Sequence, residues 1–329
     1  MIHFSPDAGP SRARLLQVYR AALAAVDGRA RVRAALAERR PRGPVRVVAV
    51  GKAAGAMLSG AFDVLGAEIE AALLITRRGY GPPDGTLPRT ACIEAGHPVP
   101  DARSLAAGSR LLRFIADAPA DRAWLILISG GASSLVEVLP GGMSLDDLQR
   151  INDWLLASGL AIGEINAVRR RVSRIKGGGL AAHLARHGAG SVSALLMSDV
   201  PGDDPGVIGS GLLHATAEAL PSELPGWLRV WVEGAAPAVT TVLPIIDTAI
   251  VANLDTALDA AARAGAALGL DVQRHPERLA GDAAGTGRRL AAVLLSGPPG
   301  LYIRGGETTV VLPAAPGRGG RCQHLALAA

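Results

Sequence analysis

Two lysines occur in the 329-residue chain, Lys52 and Lys176, and each of them lies beside glycine. Lys52 follows Gly51 at the end of an apolar run, and Lys176 precedes three consecutive glycines that begin at Gly177. An ammonium group on a flexible stem suits contact with a phosphate oxygen, whereas a guanidinium group suits bidentate recognition of carboxylate or phosphate. The two lysines therefore predict anion chemistry at glycine loops. The alternative is an arginine-biased composition that left two lysines by chance.

A second anion-binding pattern is the loop 129–134, Ser-Gly-Gly-Ala-Ser-Ser, which follows an apolar run. The backbone N–H groups of Gly130 and Gly131 and the hydroxyls of Ser129 and Ser133 can converge on one anion. The loop therefore predicts a phosphate cradle. A tight turn without a ligand is one alternative. A serine nucleophile is a weaker one, because the pattern Gly-x-Ser-x-Gly is absent.

Three carboxylates crowd the loop after the apolar run 193–197, namely those of Asp199, Asp203 and Asp204. Such a loop can hold Mg²⁺ through one or two carboxylates together with the phosphates of a substrate. One of the three could instead orient a hydroxyl group or accept its proton. An ordinary Asp/Gly/Pro turn is the alternative.

Late in the chain, Arg318 and Arg321 lie among glycines after Glu307, which allows a guanidinium group to approach a carboxylate or phosphate closely. A glycine hairpin with solvated arginines is the alternative. Together with Lys52, a carboxylate-bound Mg²⁺ and backbone donors, such an arginine suits phosphoryl transfer to an acidic acceptor. The chain contains neither a Walker A loop nor a Gly-x-Gly-x-x-Gly fingerprint after a strand. These absences argue against a P-loop kinase and against an NAD-dependent dehydrogenase.

Apolar runs that alternate with helical patterns must position these loops. Runs at 45–50, 71–76, 124–128 and 193–197 predict strands, and 53–70 predicts a helix between the first two, as in a βαβ unit. In a parallel sheet the loops that carry Lys52, the serines and the aspartates emerge at one edge, where ligands of open sheets bind. The predicted fold class is α/β, a Rossmann-like parallel sheet with helices on both faces and a second, smaller α/β domain.

The domain boundary is predicted from the linker-like stretch 234–244. Residues 1–238 form the predicted N-terminal domain, with further helices at 12–40, 144–158 and 164–175. Residues 239–329 form the predicted C-terminal domain, with strands at 248–251, 300–304 and 305–312 and helices at 254–268 and 281–295.

Composition narrows the class of protein and of partner. Hydrophobic residues make up 49% of the chain and aromatic residues 3%, so the cores are aliphatic and few rings are available to stack on nucleobases. The net charge is +5, and the basic residues concentrate at 12–46 and 169–174. The first stretch has apolar residues at helical spacing and is interpreted as a solvated helix face, and the second leads into Lys176, so a small-molecule partner is predicted and nucleic acid is not. His97 and His214 lack companions at metal-ligand spacing and are interpreted as structural. Without a leader pattern or a long apolar stretch, the sequence predicts no membrane contact and a cytoplasmic location.

Six ordered motifs make the chain resemble glycerate 2-kinases of the type that carries a MOFRL domain, some of which are also called hydroxypyruvate reductases. The motifs are Val50-Gly51-Lys52-Ala53-Ala54, Ala95-Gly96-His97-Pro98-Val99-Pro100-Asp101, Ile128-Ser129-Gly130-Gly131-Ala132-Ser133, Asn166 through Gly178, Ser198 through Asp204, and Gly305 through Arg321. The resemblance implies ATP- and Mg²⁺-dependent phosphorylation of D-glycerate to 2-phosphoglycerate in a cleft between a Rossmann-like domain and a smaller α/β domain.

The resemblance also assigns roles to residues. The implied catalytic residues are Lys52, Asp199 and Arg321. The implied cofactor-binding residues are Ser129, Gly130, Gly131, Ser133, Lys176 and Gly177. The implied substrate-binding residues are Asn166, Arg169 and Glu307, and the implied metal ligands are Asp203 and Asp204. The division of metal binding and hydroxyl contact among the three aspartates stays open at this point.

Two departures from the family pattern qualify these expectations. Cys322 and His324 stand where the family usually has Asn and Glu, and the family continues past the position of Ala329 with further motifs. The second domain is therefore expected to be incomplete. An NADH-dependent hydroxypyruvate reductase and an inactive, truncated nucleotide-binding relative are the alternatives, and a homodimer is compatible with the sequence.

Overall fold

The computed structural model describes residues 8–83, 85–216, 219–234, 245–312 and 317–329. The chain divides into two compact units, one formed by Asp27–Asn253 and the other by Met1–Val26 together with Leu254–Ala329. Among the described helices, none is both long enough and apolar enough to cross a membrane.

The strands are β1 (Val45–Val50), β2 (Ile69–Arg77), β3 (Thr90–Ala95), β4 (Ala123–Ile128), β5 (Val192–Met197), β6 (Ile246–Ala252), β7 (Val272–Arg274) and β8 (Leu301–Ile303). The α-helices are α1 (Ala8–Ala25), α2 (Gly28–Glu38), α3 (Ala54–Leu65), α4 (Ala102–Ala116), α5 (Ala132–Leu135), α6 (Leu145–Ala157), α7 (Ile162–Arg171), α8 (Gly179–Arg186), α9 (Gly226–Gly234), α10 (Leu254–Ala267), α11 (Ala283–Ser296) and α12 (Arg321–Ala328).

The unit 27–253 is built on a six-stranded sheet with the order β3-β2-β1-β4-β5-β6. All its neighbouring strands run parallel, and Val50 pairs with Ile75 on one side and with Ile128 on the other. The strand order reverses between β1 and β4, and this switch point is where open parallel sheets bind ligands. The predicted α/β fold with a parallel central sheet is confirmed.

Each face of this sheet is covered by helices because the central strands are apolar on both sides. On β1, Val47 and Ala49 pack in a core with residues of α2 and α3, whereas Val48 and Val50 pack in a core with residues of α4 and α8. Alternation of side chains along the strand explains this division. The two cores hold the carboxyl ends of β1 and β4 rigidly beside each other.

A smaller helical layer in the same unit consists of α6, α7 and α9, which share a core around Ile151, Val168 and Leu228. The helix α6 begins where the sequence predicts, at the N-cap Ser144, whose hydroxyl accepts the Asp147 N–H at 3.1 Å while Asp147 accepts the Ser144 N–H at 2.9 Å. This reciprocal capping box fixes the start of a helix that carries part of the candidate site.

The other unit contains the parallel pair β7-β8 with α10 and α11. Val18 of α1 is buried in one cluster with Ala261, Leu301 and Ile303. The helix α1 therefore belongs to this unit, whereas the predicted division placed it in the N-terminal domain.

The structure differs from the predicted elements in other places. The strand β6 pairs with β5 in the large sheet, although the predicted division gave it to the second domain. The predicted strand 305–312 forms only isolated bridges at Gly306 and Thr309. The predicted boundary between residues 238 and 239 lies outside the described residues.

Candidate functional site

The turn after β1 places Lys52 at the carboxyl edge of the sheet. Gly51 has a φ of +130°, and a Cβ at this position would collide with Ser129, so the turn requires glycine. The Lys52 N–H donates to the Gly130 carbonyl at 2.9 Å. The Lys52 side chain is exposed, and in the described part of the chain its ammonium makes no hydrogen bond or ion pair. It is available to an anion.

The serines of the loop 129–134 divide into a structural and an accessible group. Ser129 is 2% exposed, and its hydroxyl accepts the Ala53 N–H at 3.0 Å, so this side chain joins the loops after β4 and β1. The Ser133 hydroxyl accepts a hydrogen bond from the Ser210 hydroxyl at 2.9 Å and lines a cavity. Ser133 is thus better placed than Ser129 to meet a ligand.

Gly131 brings the serine-glycine loop close to two other candidate groups, the side chains of His97 and Lys52. Its φ is +90°, and a Cβ on it would lie 2.9 Å from Cδ2 of His97 and 3.3 Å from Cγ of Lys52. The absence of a side chain at residue 131 therefore lets the lysine and the histidine approach the loop together.

The aspartate loop after β5 contacts the same serine-glycine loop through Asp199. The Asp199 carboxylate lies so close to Gly130 that a Cβ on this glycine would collide with it. Asp199 is exposed, and among the described residues no donor is hydrogen-bonded to its carboxylate. The loops after β1, β4 and β5 thus meet at one edge, as the sequence predicts.

The other two aspartates, Asp203 and Asp204, accept hydrogen bonds from groups of the protein. Asp203, with a φ of +53°, accepts a hydrogen bond from the Asn253 side chain at 2.5 Å. Asp204 accepts the Gly206 N–H at 2.8 Å. In the described residues no group of three or more His, Cys, Asp or Glu side chains is arranged to hold a metal ion. Asp199 offers the free oxygen ligand that fits Mg²⁺, which commonly takes one or two protein carboxylates and completes its shell with water and phosphate.

A cavity of roughly 210 Å³ opens beside these loops, within the unit 27–253. Apolar side chains of α6 and the end of α7 form one wall. The lining residues that bear polar side chains are His97, Ser133, Ser134, Glu137, Asn152, Arg169 and Lys176. The cavity therefore combines an apolar wall with convergent polar groups, as is typical of small-molecule sites.

Lys176 reaches the cavity but is paired. Its ammonium forms a short ion pair with the Glu137 carboxylate, and the two residues are 3% and 1% exposed. The next residue, Gly177, has a φ of +57° and donates its N–H to the Ser210 carbonyl at 3.1 Å. The lysine charge is thus balanced within the protein, and the Gly177 amide serves the loop itself.

Arg169 is the cation of the cavity that has no such partner. In the described residues its guanidinium makes no hydrogen bond or ion pair. Burial lowers the pKa of this guanidinium, and the nearby Glu137 carboxylate opposes the shift. Asn166, one turn earlier on α7, is 6% exposed and is not part of the cavity lining. Arg169 therefore lines the cavity and Asn166 does not, and contact of either residue with a substrate stays a prediction.

His97, for which the sequence predicts a structural role, lines the cavity. Burial lowers the pKa of its imidazole, and the charges of Lys52 and Arg77 lower it further against the opposing effect of Asp199. The imidazole is therefore neutral at physiological pH. Glu137 and Asn152 were also missed, because neither lies in a motif with recognisable spacing.

Two predicted residues lie in the other unit. Arg321 is the first residue of α12, and its guanidinium forms a short ion pair with the exposed Glu307 carboxylate. The ion pair therefore brings Glu307 and Arg321 together within the second unit, although they are distant in the sequence.

A family model and curated relatives match most of this chain. The family described as a domain of unknown function (DUF4147) matches residues 14–224. A glycerate 2-kinase of Pyrococcus horikoshii is 33% identical over 88% of this chain and 69% of its own length. A protein of Agrobacterium vitis whose name proposes a hydroxypyruvate reductase is 38% identical over 85% of this chain and 76% of its own length.

A solved structure agrees with these sequence relatives. The crystal structure of a glycerate kinase from Thermotoga maritima has a TM-score of 0.80 and 30% sequence identity, and the match covers 97% of this chain and 79% of that one. The similarity therefore extends over almost the whole described structure.

Proposed function

This chain belongs to the glycerate 2-kinase family of kinase-type enzymes, and on that premise we propose that it transfers the γ-phosphoryl group of ATP to the C2 hydroxyl of D-glycerate. The products would be 2-phosphoglycerate and ADP. The observation that carries the proposal is the meeting of Lys52, the loop 129–134 and Asp199 beside a cavity that holds the unpaired Arg169.

Enzymes promote phosphoryl transfer mainly by positioning the reactants and by stabilising the negative charge on the oxygens of the transferred group. We propose that the exposed ammonium of Lys52 contacts phosphate oxygens at the switch point of the sheet. The Ser133 hydroxyl and the backbone of the loop 129–134 supply further donors. These groups would hold the triphosphate with its γ-phosphorus facing the cavity.

The acceptor would bind in the cavity through its carboxylate. Arg169 offers a planar fork of donors that matches a carboxylate, and the apolar wall of the cavity can cover the carbon chain. In the reaction the C2 oxygen forms a bond to the γ-phosphorus, the bond from that phosphorus to the ADP oxygen breaks, and the hydroxyl proton leaves to a base. We propose the free carboxylate of Asp199 for contact with this hydroxyl or with Mg²⁺.

Magnesium, when bound, would offset the charge of the triphosphate. The free Asp199 carboxylate fits such an ion. Asp203 and Asp204, which are hydrogen-bonded within the protein, would need to exchange those bonds to act as ligands. The roles implied for Arg321, Glu307 and Asn166, and the MOFRL-like character of the second unit, stay predictions.

A coupled assay for ADP formation tests the proposal directly. The purified chain is expected to form ADP only when ATP, Mg²⁺ and D-glycerate are all present, and the Lys52→Ala variant is expected to lose this activity while keeping its thermal unfolding midpoint. Oxidation of NADH with hydroxypyruvate, without any ADP formation from glycerate, would contradict the proposal.

A further inference from the structure

The cavity contains a buried ion pair that the proposed reaction does not itself require. Glu137 and Lys176 have side chains that are 0% and 4% exposed. Transfer of two charges from water into a protein interior costs free energy that their attraction often fails to recover, so a buried ion pair is weak evidence for stability. Because both residues line the cavity, the pair sets the charge that a ligand would meet there.

The Glu137 carboxylate also organises the chain around it. One of its oxygens accepts the Ser173 hydroxyl at 2.5 Å and the Val138 N–H at 3.0 Å, and the other accepts the Lys176 ammonium. The Arg174 N–H donates to the Val138 carbonyl at 2.8 Å. The residues that follow α7 are therefore fastened to the segment that follows Ser133 and Ser134.

Three charged side chains line the cavity. The charged side chains of the lining are Glu137, Lys176 and Arg169. The first two are paired with each other. Arg169 makes no hydrogen bond or ion pair in the part of the chain that the structure describes, although the Glu137 carboxylate acts on it electrostatically. The lining as a whole therefore carries one positive charge, which matches one carboxylate.

We infer that the Glu137–Lys176 pair determines specificity. Glu137 cancels the charge of Lys176, which leaves the lining with one net positive charge, at Arg169, and so selects an acid with one carboxylate. This inference rests on the proposed function, because it concerns the acceptor of that reaction. Glu137 acts here through Lys176 and is a positioning residue.

Removal of one partner should change the charge preference in a defined direction. In Glu137→Gln the lysine is left uncompensated, so the lining carries two positive charges and favours a dicarboxylate. In Lys176→Met the glutamate is left uncompensated, so a dicarboxylate is disfavoured even more strongly than in the native chain. At an effective dielectric constant of about 20, a unit charge about 6 Å from a carboxylate changes affinity by about a hundredfold.

The test compares D-glycerate with tartronate, a hydroxy acid of similar size in which a second carboxylate replaces the hydroxymethyl group. Binding of each acid is measured by calorimetry without ATP, so that turnover is not needed. The ratio of the two dissociation constants is expected to move about a hundredfold toward tartronate in Glu137→Gln, and to return to the native ratio in Glu137→Gln/Lys176→Met. A merely structural role would weaken both acids equally and leave the ratio unchanged.

The outcomes separate the inference from the proposed function. If the native chain binds neither acid, the proposed function fails. If the native chain binds glycerate but the ratio is unchanged in Glu137→Gln, or stays shifted in the double variant, the inference is overturned. If thermal unfolding shows that Glu137→Gln does not fold, the comparison of Lys176→Met with the double variant decides, and equal ratios in those two overturn the inference.

Discussion

Replacement of Arg169 by methionine separates ligand binding from stability. Methionine keeps much of the apolar stem and removes the guanidinium, which makes no hydrogen bond or ion pair among the described residues. A hydrogen-bonded contact to a charged group contributes about 2 kcal/mol, which corresponds to roughly a 30-fold weaker affinity when it is lost. We therefore expect the KM for D-glycerate to rise about 30-fold while the KM for ATP stays close to the native value.

The same substitution should not destabilise the protein. Burial lowers the pKa of the Arg169 guanidinium, which means that its surroundings disfavour the charged form. Loss of this charge therefore leaves the free energy of unfolding unchanged or raises it. The matched control is Arg171→Met, which changes an exposed arginine of the same helix that does not line the cavity.

Initial rates at varied glycerate and varied ATP, together with thermal unfolding of both variants, give the result. The reasoning is refuted if Arg169→Met leaves the KM for glycerate unchanged, or if the exposed control raises that KM as much as the cavity variant does.

Three further predictions follow from the site. Lys52→Met should lower kcat by about 1000-fold, as expected for loss of a charge that acts on the transition state, with little change in the unfolding midpoint because the side chain is exposed; equal kcat values would contradict the role of the lysine. Gly131→Ala should lower both stability and activity, because it adds a Cβ against His97 and Lys52 at a φ of +90°. The control Gly142→Ala, with a φ of +86° and open space around it, should lower the free energy of unfolding by only the backbone cost of about 1–2 kcal/mol. The folded-state pKa of His97 lies below the unfolded value of 6.5. The neutral imidazole therefore makes its full contribution to the free energy of unfolding above about pH 6.5, and this contribution is lost as the pH falls toward the folded-state pKa. His97→Asn should flatten the acid side of a stability–pH profile, and an unchanged slope would show that His97 is not the group responsible.

The sheet and its ligand edge could be predicted from the sequence because the signals are local. The runs that become β1, β4 and β5 are predominantly apolar, and each is followed directly by glycine or serine. Parallel strands bring such ends to one edge. The contacts of Gly131 with Lys52 and of Gly130 with Asp199 then follow from the strand order.

The cavity could not be predicted in the same way because its contacts are distant in sequence. Glu137 and Lys176 are 39 residues apart, and Glu137 lies in an ordinary Val-Glu-Val segment. His97 belongs to a motif but shows no metal-ligand spacing, so the sequence favoured a structural role. The strand β3 was missed since most of its residues are only partly buried, as at a sheet edge, and its run lacks the continuous apolar pattern of β4.

The product of the reaction provides the most direct test of the central claim. When the chain is incubated with ATP, Mg²⁺ and D-glycerate, the proton-coupled ³¹P spectrum is predicted to gain a phosphate-ester doublet, because a phosphate on C2 couples to the single hydrogen of that carbon. A triplet would place the phosphate on C3 and contradict the proposed acceptor atom. A spectrum that shows no new ester, from a sample that is folded and binds ATP, would contradict phosphoryl transfer to glycerate altogether.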